Sequence, residues 1–205
     1  MPKQDRAVRT RAALIRSAAT LFDRDGYDGT SLVRVSRAAG ISLGALTFHF
    51  STKGDLADAV IREGHALTRA ALRRLTTRPG PPLETVVELT LELARLLEEE
   101  IPVRCALRLA RERAGSGTAE PGCWSEIWLP DVRELLARAH ADGQLRPGIR
   151  PSDVITLVEF LTAGAEAQSR GLPRDAKAVD RLADAWRLAL AGVSGAPGEA
   201  EIPTG

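Results

Sequence analysis

The chain has 205 residues, of which 44% are hydrophobic and 27% are charged, and its formal net charge is +1. This length is sufficient for a sizeable hydrophobic core, in one domain or in a small domain attached to a larger one. The low net charge excludes a uniform polyelectrolyte. Residues 1–62 nevertheless hold 10 Lys and Arg against 6 Asp and Glu, which favours an anionic partner at that end unless the excess is accidental.

The cysteines and the apolar segments point to an intracellular protein. Cys105 and Cys123 lie in different segments and match no metal-ligand spacing. No apolar run approaches the roughly 18 residues of a membrane span, and the N-terminal residues are polar. We therefore expect a soluble cytoplasmic protein with reduced thiols, no metal, no cofactor and no membrane partner.

Apolar residues at helical spacing predict a first helix that ends at Gly26. Its inner face consists of Leu14, Ile15, Ala18, Leu21 and Phe22. Its other faces carry Arg6, Arg9, Arg11 and Arg16. These arginines either contact phosphate or form a solvated surface.

The next segment reads as two short helices joined by a tight turn, the order found in a helix-turn-helix DNA reader. Thr30 or Ser31 caps the second helix, and Gly40 ends it in a left-handed conformation that costs glycine nothing. Ser42 then caps a third helix of about two turns, which ends at Phe50. So short a helix contributes little packing, but it is long enough to enter a major groove.

A fourth helix begins after Thr52, which forms a variant capping box with Asp55. Lys53 lies in its first turn, where a cation opposes the helix dipole unless an anion binds. This helix is predicted to run to about Thr76, before the break at Pro79, Gly80, Pro81 and Pro82. Further helices are predicted over residues 83–100, 102–113, 124–142, 152–170 and 175–191. The sequence thus predicts an all-α fold of about nine helices, with a mobile loop over residues 115–122.

The stretch GISLGALTFHFSTKGDL, together with the preceding LFDRDGYDGTSLVRVSRAAG, resembles the TetR family of transcription regulators over residues 8–62. The residues that fit the pattern are Gly40, Ser42, Gly44, Leu46, Phe48, His49, Phe50, Lys53 and Leu56. Within that family the chain is most similar to receptors for γ-butyrolactones and related furan or butenolide signals. This finer likeness lies in GALTFHF, in Val103–Glu112 and in Trp128.

The resemblance implies a repressor of antibiotic-biosynthesis or regulatory genes that a small hydrophobic signalling ligand releases from double-stranded operator DNA. It implies a helix-turn-helix DNA-binding domain at residues 1–56, a helical ligand-binding and dimerisation domain at residues 57–193, and a flexible tail at residues 194–205. The family forms a homodimer through its last two helices. Dimerisation would set the two helix-turn-helix motifs, here called the two readers, about one DNA turn or a multiple of it apart.

The third helix contains no Arg, Asn or Gln, so the strongest bidentate base contacts are absent. Leu43 stands where the family often has Lys, and Thr47 where it often has Tyr. We expect apolar contacts of Leu43 and Ala45 with thymine methyl groups and a close backbone approach at Gly44, with DNA shape adding specificity. The full set of predicted DNA-binding residues is Thr30, Ser31, Arg34, Ser42, Leu43, Gly44, Ala45, Thr47, Phe48, His49 and Lys53.

Several of these residues also have a structural explanation. A helix cap alone would explain Ser42, burial in the core would explain His49, and Phe48 and Phe50 are more typical of core than of base contacts. Thr30, Ser42, Thr47, His49 and Lys53 are the phosphate-side candidates.

The predicted ligand-binding residues lie in the second part of the chain. Trp124 and Trp128 share a helix face, and the resemblance selects Trp128 as the wall of a ligand cavity. Thr162 interrupts an otherwise apolar helix and can face that cavity. Leu89, Leu93, Leu107 and Phe160 complete the set. Gly64 stands about where butyrolactone receptors place a Gln that contacts ligand, so a furan-type signal or a pseudo-receptor with another ligand stays open.

Two other functions are compatible with the chain. One is an efflux or metabolic regulator of the same family that responds to a hydrophobic, drug-like ligand. The other is an all-helical enzyme, but no Ser/His/Asp, paired-carboxylate or metal constellation is present, and His65 and His140 lack partners at ligand spacing.

Overall fold

The computed structural model describes residues 2–114, 124–169 and 177–195, and these residues form nine helices. The helices are α1 (Pro2–Asp25), α2 (Leu32–Ala39), α3 (Leu43–His49), α4 (Lys53–Thr76), α5 (Pro82–Glu99), α6 (Ile101–Ala114), α7 (Ser125–Ala141), α8 (Pro151–Ser169) and α9 (Ala178–Val193). The predicted all-α fold of nine helices is confirmed. The predicted loop over residues 115–122 and most of the predicted tail lie outside the described residues.

Contacts along the chain divide it into two compact units. The first comprises Met1–Arg69 and Glu99–Ile127, and the second comprises Ala70–Glu98 and Trp128–Gly205. Helix α4 therefore begins in the first unit and ends in the second. The predicted domain boundary at residue 57 divides DNA binding from ligand binding and does not coincide with the division between these units. It stays a prediction. No helix within the described ranges is long and apolar enough to cross a bilayer.

The first unit is built on the apolar face of α1. Leu14, Ala18 and Phe22 are fully buried there, and they pack in one core with residues of α2, α3, α4 and α6. Burying each large apolar side chain contributes about 1.5–3 kcal/mol, so this shared core holds the helices of the unit together. Cys105 of α6 lies in the same core, and burial raises the pKa of its thiol well above the ordinary value.

Helix α6 also contacts the end of α1 through polar groups. Arg104 makes an ion pair with Asp23 at 2.9 Å, and Arg108 donates to the backbone carbonyl of Asp23. Glu112 accepts from the backbone N–H of Tyr27 at 2.7 Å. Residues more than 80 positions apart in sequence thus fix the end of α1 and the turn that follows it.

Gly64 marks the closest approach of α4 to α6. A Cβ atom at this position would lie 2.5 Å from the carbonyl oxygen of Pro102 and 2.8 Å from the Cβ of Ala106. Both distances are shorter than real Cβ contacts, so the absent side chain is what allows these helices to pack.

In the second unit, buried polar groups connect α5 with later helices. Thr90 Oγ1 accepts from the indole N–H of Trp186 at 2.7 Å, and both residues are buried. Glu98 accepts from the backbone N–H of Val179 at the start of α9. Gln144 accepts from the backbone N–H of Leu83 in the first turn of α5, at 2.9 Å. Side chains therefore satisfy amide groups that a helix N-terminus leaves free.

Candidate nucleic-acid interface and ligand-binding residues

The turn between α2 and α3 has the predicted geometry. Gly40 adopts φ 65° and ψ 28°, and its N–H donates to the carbonyl of Arg37 while the N–H of Ile41 donates to that of Ser36. Ser31 caps α2 by accepting from the backbone N–H of Arg34 at 3.3 Å. Glycine at position 40 therefore lets α2 end and the chain reverse within two residues.

Helix α3 has seven residues and one fully buried anchor, Leu46. Ser42 caps it by accepting from the N–H of Ala45 at 3.3 Å. Phe50 follows in an extended conformation and is buried, which turns the chain inward. Thr52 and Asp55 then accept from each other's backbone N–H at 3.0 and 2.9 Å, so the predicted capping box is confirmed.

The outward side of α3 is mainly apolar. Phe48 is 85% exposed and Leu43 is 42% exposed, so of the two phenylalanines only Phe50 belongs to the core. Sequence reasoning favoured the core for both. Gly44 has open space around the position where a Cβ would stand, so no described residue requires a glycine there. A glycine costs about 0.8–1 kcal/mol relative to alanine in a helix, and packing within the described residues does not explain this cost.

Hydroxyl and imidazole groups surround this apolar surface. The hydroxyl of Ser42 accepts within the cap, so its own hydrogen is free to donate to a phosphate. Thr47 Oγ1 donates to the carbonyl of Gly44 at 3.1 Å and keeps only acceptor capacity in that rotamer. His49 is half-buried. The centroid of its ring lies 5.4 Å from that of Phe48, and the two rings meet edge to face. Ser31 is exposed at the start of α2.

The two predicted cations already have partners within the chain. Arg34 makes an ion pair with Asp25 at 2.6 Å and also donates to the carbonyl of Gly29. Hydrogen bonds from Arg24 and, more weakly, from Arg34 lower the pKa of the Asp25 carboxyl to about 2. This carboxylate is ionised at neutral pH and offsets part of the charge that Arg34 would offer to a phosphate.

Lys53 is held by Tyr27. Its Nζ atom donates to the backbone carbonyl of Tyr27 at 3.0 Å and lies 4.1 Å from the centroid of the Tyr27 ring. The unfavourable position of a cation in the first turn of α4 is therefore compensated within the chain. Two N–H donors of the ammonium group remain for a phosphate.

Thr30 is removed from the set of DNA-binding residues. Its side chain is 2% exposed, and Oγ1 donates to the carbonyl of Gly26 at 2.9 Å. The hydroxyl stabilises the turn between α1 and α2 and cannot reach a phosphate from this buried position.

Arg11 lies next to the end of α3, a position that the sequence did not reveal. The sequence grouped it with the other arginines of the first helix. Its guanidinium carbon lies 5.2 Å from the centroid of the Phe50 ring, at the end of α3. It has no ion pair with a described residue, so its charge is available to an anion. Arg11 and Phe50 are 39 positions apart in sequence, so their contact is visible only when the fold is known.

The predicted ligand-binding residues are divided between the units. Leu107 is buried in the first unit, whereas Leu89, Leu93, Trp128 and Thr162 are buried in the second. The hydroxyl of Thr162 has no hydrogen-bond partner among the described residues, although the side chain is only 4% exposed. Such a group is costly unless something binds it.

Trp124 and Thr68 form a buried hydrogen bond of 3.2 Å inside the first unit. The indole of Trp124 is therefore a core group. Whether Trp128 contacts a ligand stays a prediction.

Phe160 is not part of an interior pocket, because it is 75% exposed on the outer face of α8. It borders a groove of about 110 Å³ between α8 and α9, together with Gly164, Arg181 and Leu182. Leu188 of α9 is also 80% exposed. The groove is too small to hold a drug-sized ligand. The exposed apolar side chains of α8 and α9 are instead suited to contact with another protein surface.

An open cleft of about 720 Å³ lies elsewhere in the second unit, where the first turns of α5 face the ends of α7 and α9. Glu84, Glu88 and Asp142 line it, and none of the predicted ligand-binding residues does. Three carboxylates make this cleft unsuitable for a neutral hydrophobic signal.

Comparison with known proteins identifies relatives over most of the chain. The family model of bacterial regulatory proteins of the tetR family matches residues 14–60. The A-factor receptor protein of Streptomyces griseus is 26% identical over 194 residues, which are 95% of this chain and 67% of that protein.

Two solved structures extend the similarity. A γ-butyrolactone receptor described as ArpA-like is 31% identical with a TM-score of 0.75, covering 93% of this chain and 91% of the other. CprB of Streptomyces coelicolor, solved with its biological operator sequence, is 31% identical with a TM-score of 0.71 and the same coverage of both chains, 93% and 91%.

Proposed function

The chain belongs to the TetR family of bacterial regulatory proteins, and we propose that it is a dimeric repressor released from palindromic operator DNA by a small autoregulator-type signal. Membership of this family makes it a DNA-binding transcription regulator and not an enzyme. The signal would be a γ-butyrolactone, butenolide or furan, and the regulated genes would belong to secondary metabolism. The protein would act in the cytoplasm, where operator DNA is accessible.

The observation that carries the proposal is the surface of α3. It exposes the large apolar side chains of Leu43 and Phe48, and Gly44 carries no side chain where the chain itself would accept one. A major groove explains both features, because it admits a helix and brings a phosphate or base close to its backbone. Ser31, Ser42, His49, Lys53 and Arg11 would contact phosphates on either side, and Thr47 would join them only if its hydroxyl leaves the carbonyl of Gly44.

Thr162 supports the proposed ligand site. A buried hydroxyl with no internal partner fits a polar contact to a ligand carbonyl or hydroxyl, as a mostly apolar pocket requires. Release would follow if the ligand binds more tightly to a form in which the two readers are wrongly spaced. The exposed apolar residues of α8 and α9 would form the dimer contact that sets this spacing.

DNA binding can be tested with the full-length protein and duplexes from the region upstream of its own gene. We expect one palindromic site to bind at least about a thousand times more tightly than random duplex at fixed salt. The same titration at several salt concentrations separates phosphate contacts from sequence reading. Equal affinity for both duplexes at every salt concentration would refute the repressor function.

The ligand site can be tested with a matched pair of buried threonines. Thr162→Val removes a hydroxyl that has no described partner, so we expect the stability of the free protein to stay equal or rise by up to about 1 kcal/mol. Thr90→Val removes the acceptor of the Trp186 indole and should cost about 1–3 kcal/mol.

Ligand response is then measured on the Thr162→Val protein with a panel of synthetic γ-butyrolactones, butenolides and furans. The compound that releases the wild-type protein from DNA should need about tenfold higher concentration, which corresponds to one lost hydrogen bond. Affinity for DNA without ligand should not change. A response identical to that of the wild type would remove Thr162 from the ligand site, and release by apolar drugs alone would favour an efflux-type regulator.

A further inference from the structure

The surface that α3 offers to DNA lacks the side chains that distinguish bases by paired hydrogen bonds. The helix reads LGALTFH, and its most exposed large side chain is Phe48. Leu43 on the same helix and Val33 on α2 are the other exposed large apolar residues of the helix-turn-helix. We refer to Phe48 and Leu43, with Gly44 between them in sequence, as the apolar patch of α3. Exposed apolar patches often mark a binding surface.

The position of this patch favours DNA over a protein as its partner. The patch lies on the helix that follows the left-handed turn at Gly40, and the hydroxyl groups of Ser42 and Thr47 border it. Arg34 and Arg37 are exposed on the neighbouring α2. Gly44 adds a stretch of bare backbone within the patch. Phosphates complement the hydroxyl hydrogen of Ser42 and the guanidinium of Arg37, whereas an apolar protein surface would offer these two donors no acceptor.

In the major groove, the C5-methyl group of thymine is the one apolar feature of the base-pair edges. An aromatic ring placed over the polar edge of a G·C pair would remove water from groups that it cannot hydrogen-bond. The same ring over a methyl group loses nothing and buries apolar area. An apolar reader can therefore prefer one base strongly, even though it forms no hydrogen bond to it.

The ring of Phe48 makes an edge-to-face contact with the ring of His49, at 5.4 Å between centroids and 80° between the ring planes, and His49 in turn lies beside the buried Phe50. This contact favours one orientation of an exposed side chain, which reduces the entropy lost when the ring binds.

We propose that α3 recognises its half-site through the C5-methyl groups of pyrimidines, with Phe48 as the principal contact and Leu43 as the second. This inference rests on the proposed function and adds the chemical feature that is read. The methyl group itself is the recognised element, so 5-methylcytosine can replace thymine as a contact. Binding to the operator therefore responds to cytosine methylation at these positions.

The experiment uses duplexes that the full-length protein selects from a random pool, prepared with thymine or with deoxyuridine. Deoxyuridine removes only the methyl group and leaves every hydrogen-bonding edge intact. We expect the dissociation constant at fixed salt to rise about fourfold for each contacted methyl group, the equivalent of one buried CH₂. At a contacted position changed to C·G, methylating the cytosine should recover about the same factor.

Phe48→Ala assigns the effect to the residue. Because Phe48 is exposed, the variant should fold normally, and the ratio of its affinities for the thymine and deoxyuridine duplexes should fall to the part that Leu43 contributes. Arg37→Gln is the matched control on α2, since any loss of a phosphate contact weakens both duplexes alike and preserves the wild-type ratio.

Failure of this inference can be told apart from failure of the proposed function. If the wild-type protein selects a palindrome but binds its thymine and deoxyuridine forms equally, methyl reading is refuted while the repressor function stands. If Phe48→Ala keeps the wild-type ratio, or changes self-association instead, the patch is not the reader. If no sequence is selected from the pool, the proposed function itself fails.

Discussion

The close approach of α4 and α6 at Gly64 predicts opposite effects for two chemically identical substitutions. Gly64→Ala adds one methyl group against a backbone oxygen at 2.5 Å, and this oxygen moves only if α6 shifts. Overpacking of this kind costs about 1–3 kcal/mol, from which the helix propensity of alanine recovers about 1 kcal/mol. Gly44→Ala meets open space, so only the favourable propensity remains.

The two variants should therefore differ in stability by about 1–3 kcal/mol. For a protein of this size that corresponds to a difference in Tm of roughly 2–10 °C, with Gly64→Ala below Gly44→Ala. Thermal unfolding followed by circular dichroism, on the full-length protein without DNA, measures it. Equal Tm values, or a higher Tm for Gly64→Ala, would refute the argument that this glycine exists for packing.

The same distances bear on the Gln that the resemblance to butyrolactone receptors places about where Gly64 falls. Gly64→Gln would place its Cβ in the same clash and a longer chain beyond it, so α6 would have to move away from α4. We expect a larger loss of stability than for Gly64→Ala, without a gain of γ-butyrolactone binding. In this chain, Gly64 is therefore explained by the packing of α4 against α6.

Two further predictions concern charges of the first unit. Burial, and to a lesser extent Arg69, lowers the pKa of His65 below its ordinary value of 6.5. The unfolded chain then binds the extra proton, so stability should fall as the pH drops below about 6.5, and His65→Gln should flatten this fall in urea unfolding series. Arg11→Met keeps the contact with Phe50 but removes the charge, so it should weaken binding to all duplexes and reduce the salt slope by about one unit. An unchanged slope would show that Arg11 contacts no phosphate.

Local chemistry explains why so much of the helix-turn-helix could be predicted from the sequence. Gly40, Ser42 and the pair Thr52 and Asp55 each act within a few residues of themselves, so their caps appear as predicted. Helix periodicity could also have separated the two phenylalanines. Leu46 is the buried anchor of α3, and a residue two positions later lies on the opposite face of a helix.

The contacts that sequence reasoning missed are ones that spacing does not reveal. Lys53 reaches the carbonyl of Tyr27, 26 positions away, and Arg34 meets a carboxylate that belongs to α1. Phe160 lies on the outer face of a helix with weak polar contrast, so periodicity could not orient it. These placements depend on how helices pack, which composition and motifs leave undetermined.

The way in which the cations are engaged has a consequence for how repression would end. Arg34 and Lys53 each use some of their N–H donors for contacts within the chain. Helix α3 offers no side chain for a bidentate base contact. One half-site would therefore bind weakly, and tight binding would depend on both readers meeting DNA at once. Under that condition a ligand need not break any contact between α3 and a base. A small change in the separation of the two readers suffices, because it removes the second half-site and with it most of the affinity.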